Sequence, residues 1–104
     1  MGKDVKCSYV VTSNYRDRNF VIRYNSRAYD EYNYEYDRIK TQKLANKTAG
    51  GNLSLQLIDG IPASGFVVFG NVSSRATKFP LLEFRVSGDD LSTRSFQFRD
   101  VPIE

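Results

Sequence analysis

Apolar and polar residues alternate with a period of two in stretch after stretch of this chain, the spacing that puts every second side chain of a strand on one face. Val5, Cys7, Tyr9 and Val11 share such a face, as do Phe20, Ile22 and Tyr24, and then Leu53, Leu55 and Leu57. Phe66, Val67, Val68 and Phe69 form an unbroken apolar run between Gly65 and Gly70, which suits a strand buried on both faces. Leu82, Phe84 and Val86 precede a turn-forming cluster, Ser87-Gly88-Asp89-Asp90, and Phe96 and Phe98 close the series. Asp59-Gly60 marks another turn. Pro62, Pro80 and Pro102 are expected at strand edges, where a missing N–H is tolerated.

The stretch from Tyr32 to Gly51 reads less cleanly. Tyr32, Tyr34 and Tyr36 alternate as a strand would. Beyond them, residues 37–47 either form a short helix between an Asp37 cap and Gly50-Gly51, or run on as an irregular connection. Their apolar content, Ile39, Leu44 and Ala45, is too sparse to anchor a helix, which favours the irregular connection. The pattern as a whole predicts one all-β domain over residues 1–104. The expected fold is an antiparallel β-sandwich, Ig-like or related, of about seven short strands, with an open barrel as the alternative.

Composition narrows the chemistry. The 104 residues include no histidine and one cysteine, Cys7. A Ser-His-Asp triad, a Cys-His pair, an imidazole base and a thiolate metal cluster are therefore excluded, as is an intramolecular disulfide. Cys7 lies on the apolar face of the first strand and is expected to act as a small hydrophobe. Glycoside hydrolysis needs only two acids at a fixed separation, and Asp30 with Glu31, Glu35 with Asp37, and Asp89 with Asp90 supply the pairs. Asp89-Asp90 follows Gly88 and reads as a turn; the other pairs read as a solvated loop. Four carboxylates fall between Asp30 and Asp37, but without the spacing of a calcium loop. No glycine-rich turn suits a phosphate. Neither enzyme, cofactor nor metal is expected.

The net charge of +3 hides a patterned distribution. Residues 1–27 carry six basic and two acidic groups, residues 28–37 carry four acids and no Lys, and Arg38, Lys40, Lys43 and Lys47 follow at once. The acidic segment is also aromatic, since five of the seven tyrosines lie between Tyr24 and Asp37. Tyrosine offers a large amphipathic contact at low conformational cost, so Tyr24, Arg27, Tyr29, Tyr32, Tyr34 and Tyr36 are the candidate binding residues. The competing reading makes them one face of an ordinary strand with phenols at its rim.

Recognition of a protein or a glycan is the favoured function. Single-stranded nucleic acid is the less favoured partner: Arg16, Arg18, Arg23, Arg27, Arg38, Lys40, Lys43 and Lys47 would line a groove, but the four acids would repel a phosphate backbone. A structural subunit of a surface or virion assembly is a further alternative. Three N-x-[ST] sequons, at Asn46, Asn52 and Asn71, lean slightly toward a secreted or cell-surface protein. No apolar run of about 18 residues occurs, so no membrane span is expected.

Overall fold

The computed structural model describes residues 2–13, 16–88 and 91–103. They form two antiparallel sheets packed face to face, a β-sandwich rather than a closed barrel. The strands are β1 (Gly2–Val11), β2 (Arg18–Ile22), β3 (Arg27–Tyr29), β4 (Glu35–Tyr36), β5 (Thr41–Leu44), β6 (Lys47–Ala49), β7 (Leu53–Leu57), β8 (Ala63–Ser73), β9 (Lys78–Gly88) and β10 (Leu91–Pro102). One sheet has the order β1-β8-β5-β6 and the other β4-β3-β9-β2-β7, with β10 on the free side of β9.

The ten strands exceed the expected seven for a physical reason. β2 and β3 lie end to end along one edge of β9, Ile22 opposite Val86 and Arg27 opposite Glu83. Four residues, Arg23 to Ser26, thus face only Phe84 and Arg85, a bulge that splits one long strand into two. Ser26 repairs the ladder there. Its buried hydroxyl donates to the Arg23 carbonyl at 2.9 Å and accepts the Arg85 amide at 2.8 Å.

The period-two faces form the core. Val5, Cys7, Phe20, Ile22, Leu53, Leu57, Leu82, Phe84 and Val86 are buried, with Phe69 and Phe79 meeting edge to face at 5.8 Å in the middle of the layer. Gln42 crosses from one sheet to the other, its amide donating to the carbonyls of Ile22 and Gly51 at 3.1 and 2.8 Å.

Several expectations change. Phe66 and Val68 are only half-buried while Val67 and Phe69 are fully buried, so β8 is covered on one face rather than two, because among the described residues no second layer covers the outer side of its sheet. Tyr24 stands beyond the end of β2 and is exposed. Tyr32 and Tyr34 lie in the loop before β4, not on a strand with Tyr36. Residues 37–47 hold neither a helix nor a purely irregular run: β5 pairs with β6 around a tight turn at Ala45 and Asn46, with Ala45 at φ 54°. Pro80 sits inside β9 rather than at a strand edge, across from Asp100 of β10, whose backbone leaves the extended conformation at φ 55°. The pair Asp89-Asp90 lies outside the described residues.

Candidate functional site

The tyrosine segment folds around one carboxylate. Asp30, only 2% exposed, accepts the amides of Tyr32 and Tyr34 on Oδ1 at 2.9 and 3.1 Å and the Tyr36 hydroxyl on Oδ2 at 2.8 Å. The backbone closes the same loop, Asn33 N–H to the Asp30 carbonyl and Asp30 N–H to the Tyr34 carbonyl, each at 3.1 Å. Asn33 takes the left-handed conformation, φ 69°, that the closure demands and that asparagine tolerates better than most residues. This is the tip of the β3–β4 hairpin, with Ala28 opposite Tyr36 and Tyr29 opposite Glu35.

Glu31 ties the loop to its neighbour. Its carboxylate accepts the amide and hydroxyl of Thr77 and, more weakly, the Lys78 amide, at the turn that joins β8 to β9. The Thr77 hydroxyl and amide hold that carboxyl below its usual range. The join sets Tyr32 and Tyr34 beside Ser73 and Arg75, which together line a shallow cleft of about 420 Å³. The Arg75 guanidinium stands over the Tyr32 ring at 5.7 Å, a cation–π arrangement. Tyr32 is 51% exposed and Tyr34 65%, so both side chains are open to solvent while their backbone is fixed from behind.

The remaining candidate residues do other work. Tyr36 is half-buried, packs against Phe79 at 6.1 Å, and accepts the Ser73 amide on its hydroxyl at 3.0 Å. Desolvation raises its pKa. Arg27 bridges Glu83 at 2.8 Å and Glu35 at 3.1 Å, and Glu35 also accepts the Tyr29 hydroxyl at 2.6 Å, a bond that lowers the Glu35 carboxyl and raises the Tyr29 phenol. Tyr24 stands apart from the cleft, beside Arg38 at 5.9 Å, with its amide held by Asn52 Oδ1 at 2.7 Å. The six tyrosine-segment residues thus separate into an exposed pair, Tyr32 and Tyr34, a hydrogen-bonded support of Arg27, Tyr29 and Tyr36, and an isolated Tyr24. Arg75 completes the cleft and was not legible beforehand; a cation in the turn after Asn71-Val72-Ser73 is the one sequence signal for it.

Asp30, Glu31 and Glu35, three of the carboxylates that could have formed an acid pair or an oxygen-rich metal loop, are spread among these separate bonds. Among the described residues, no three Cys, Asp or Glu side chains converge on a point that would hold a metal ion. Cys7 is buried, and burial pushes its thiol up to about 11. The basic side chains of the suggested groove are likewise divided: Arg27 pairs with Glu83 and Glu35, Lys40 with Asp4 at 3.0 Å, and Lys47 donates to the Ser54 carbonyl at 3.3 Å. No helix of the described residues is long and apolar enough to cross a membrane. Asn46 and Asn71 of the sequons are exposed on turns or strand ends, and Asn52 is exposed beside β7.

Comparison of the chain with protein-family models, with curated proteins and with solved structures finds no match in any of the three.

Proposed function

We propose that this protein is a non-catalytic interaction module that recognises a protein or a glycan through Tyr32, Tyr34 and Arg75. The observation that carries the reading is the pairing of exposure with rigidity. Two aromatic rings are presented to solvent on a loop whose backbone is fixed by a buried carboxylate, so that little conformational entropy is lost when a partner docks on them. Flat aromatic faces stack on sugar rings or apolar side chains, and the Arg75 guanidinium supplies directed donors at their edge.

The absence of histidine from the sequence and the dispersal of the acidic groups favour binding over catalysis. A nucleic-acid surface is the weaker alternative, because Arg27 and Lys40 already pair with carboxylates and Glu31 lies directly behind the cleft.

The experiment is a glycan array and a surface-display peptide screen with the whole chain, repeated with Tyr32→Ser/Tyr34→Ser. Binding to the hits should fall at least about tenfold, as expected when two aromatic anchors are truncated, while the melting temperature stays within about 3 °C because neither ring is buried. Retained binding by the double variant, or its unfolding, would refute this assignment.

A further inference from the structure

The two long sides of the sandwich are unlike. On one side the sheets are stitched together: the chain passes directly from β6 in one sheet to β7 in the other, Lys47 reaches the Ser54 carbonyl, and Gln42 bridges to Gly51. On the other side lie β1, which among the described residues pairs only with β8, and β10, which among them pairs only with β9. Among the described residues no backbone hydrogen bond joins β1 to β10. Both strands therefore present a row of unpaired amides and carbonyls.

The space between them is apolar. In β10 the residues opposite Val86, Phe84 and Leu82 are Arg94, Phe96 and Phe98, so these three share the core-facing side of the sheet. Yet Phe96 is 52% exposed and Phe98 47%, because the facing sheet stops at β1, one strand short of covering them. Two adjoining recesses open there, of about 340 and 310 Å³. Tyr9, Phe84 and Phe98 line both; Cys7 and Leu82 extend the first, Phe20 and Phe96 the second.

We propose that this open side receives an extended strand of a partner protein, which adds to the β1 edge as a fifth strand of its sheet and covers Phe96 and Phe98. A strand advances about 6.8 Å for each pair of residues, so some eight residues along the free edge send four side chains inward. Recesses of this combined volume hold side chains the size of valine and leucine.

Charge chooses the partner. No Asp or Glu lines either recess, whereas the Lys6 ammonium stands over the Phe66 ring at 4.7 Å on the outer face of the same edge strand and Arg94 stands beside Phe96 with no ion pair among the described residues. The fitting strand alternates apolar residues and carries acids at its ends. A second copy of this chain fits less well, since it brings its own Lys6 and Arg94 to the same edge on a molecule of net charge +3.

The test is a titration of the isotope-labelled chain, followed by amide NMR shifts, with the synthetic peptide acetyl-Glu-Val-Thr-Leu-Ser-Leu-Thr-Val-Glu-amide. Saturable shifts along Val5 to Val11 and Arg94 to Phe98 are expected. Phe96→Ser or Phe98→Ser should weaken the peptide about tenfold, as for an interface anchor, and replacing its end glutamates with lysines should weaken it about threefold. Folding of the variants is verified by their amide spectra, and because both rings are half-exposed, two single variants provide independent readings. The proposal is overturned by the absence of saturable shifts up to millimolar peptide, by equal binding of a peptide with its four apolar residues run together, by shifts confined to other strands, or by sedimentation showing that a second copy already occupies the edge. Loss of binding in Tyr32→Ser/Tyr34→Ser would instead implicate the tyrosine cleft, which lies on different residues.

Discussion

Replacing Asp30 tests the organisation of the tyrosine cleft at its root. The carboxylate is 2% exposed and accepts three bonds, from the amides of Tyr32 and Tyr34 and from the Tyr36 hydroxyl. Hydrogen bonds to a charged group contribute about 1.5–3 kcal/mol each, so a naive sum would exceed the stability of many small domains. The two amides belong to an exposed loop and regain water once the carboxylate is gone, whereas the Tyr36 hydroxyl is half-buried and regains less. A net loss of about 3 kcal/mol is therefore expected for Asp30→Ala, or on the order of 15 °C in Tm for a domain of this size.

Asp30→Asn separates shape from charge. Its carbonyl keeps the two amide bonds in weaker, neutral form, and only the Tyr36 donor is left facing an amide nitrogen, so the loss should be about 1 kcal/mol. Urea unfolding at pH 7 with an unchanged m-value measures both. A loss below about 1 kcal/mol for Asp30→Ala, or equal losses for the two variants, would refute the view that this carboxylate sets the loop.

Further outcomes follow from other buried groups. Gln97 and Arg27 hold the Glu83 carboxyl below its usual range, so its contribution is complete above the ordinary value of 4.5 and is lost as pH falls through the lower folded value. Glu83→Gln should flatten the decline in urea midpoint between pH 5 and pH 2; an unchanged slope would show that other acids govern it. Cys7, raised to about 11, should react with a disulfide reagent at pH 8 roughly two orders of magnitude more slowly in the folded chain than in urea, and equal rates would mean that the thiol is accessible. The Tyr9 hydroxyl is buried without a hydrogen-bond partner among the described residues, and its pKa is pushed up to about 12 by desolvation. Tyr9→Phe should then stabilise the chain or leave it unchanged within about 1 kcal/mol; a clear destabilisation would reveal a bond to that oxygen. Ser26→Ala, which removes the group repairing the ladder between Arg23 and Arg85, should cost about 1–3 kcal/mol by chemical denaturation, and a neutral result would show that the bulge is self-sufficient.

Much of the fold was written locally. The alternation of Val5, Cys7, Phe20, Ile22, Leu53, Leu57, Leu82, Phe84 and Val86 predicted both the strands and the face each would bury, because a period of two leaves an antiparallel strand only two ways to lie. The same alternation misread the tyrosines. Tyr32 and Tyr34 match a strand pattern, but the buried Asp30 carboxylate offers their amides a partner that a sheet ladder does not, and the loop it closes lifts them out of any strand. Residues 37–47 also escaped, since a hairpin turning at Ala45 in a left-handed conformation carries none of the glycine signal such turns usually show.

What the sequence by itself determined is the class of the fold, the buried face of its clearly alternating strands and the chemistry a chain without histidine has to forgo, while core residues such as Ile39, Leu44 and Phe79 were not read from it. Each depends on residue type and spacing alone. Only the tertiary structure decided which tyrosines face solvent, that Arg75 joins them from a turn some forty residues away in the chain, and that Phe96 and Phe98 stay half-exposed beyond the edge of the facing sheet. These follow from where separate segments meet, and a local pattern cannot encode whether the neighbour that would cover a strand's inner face is present.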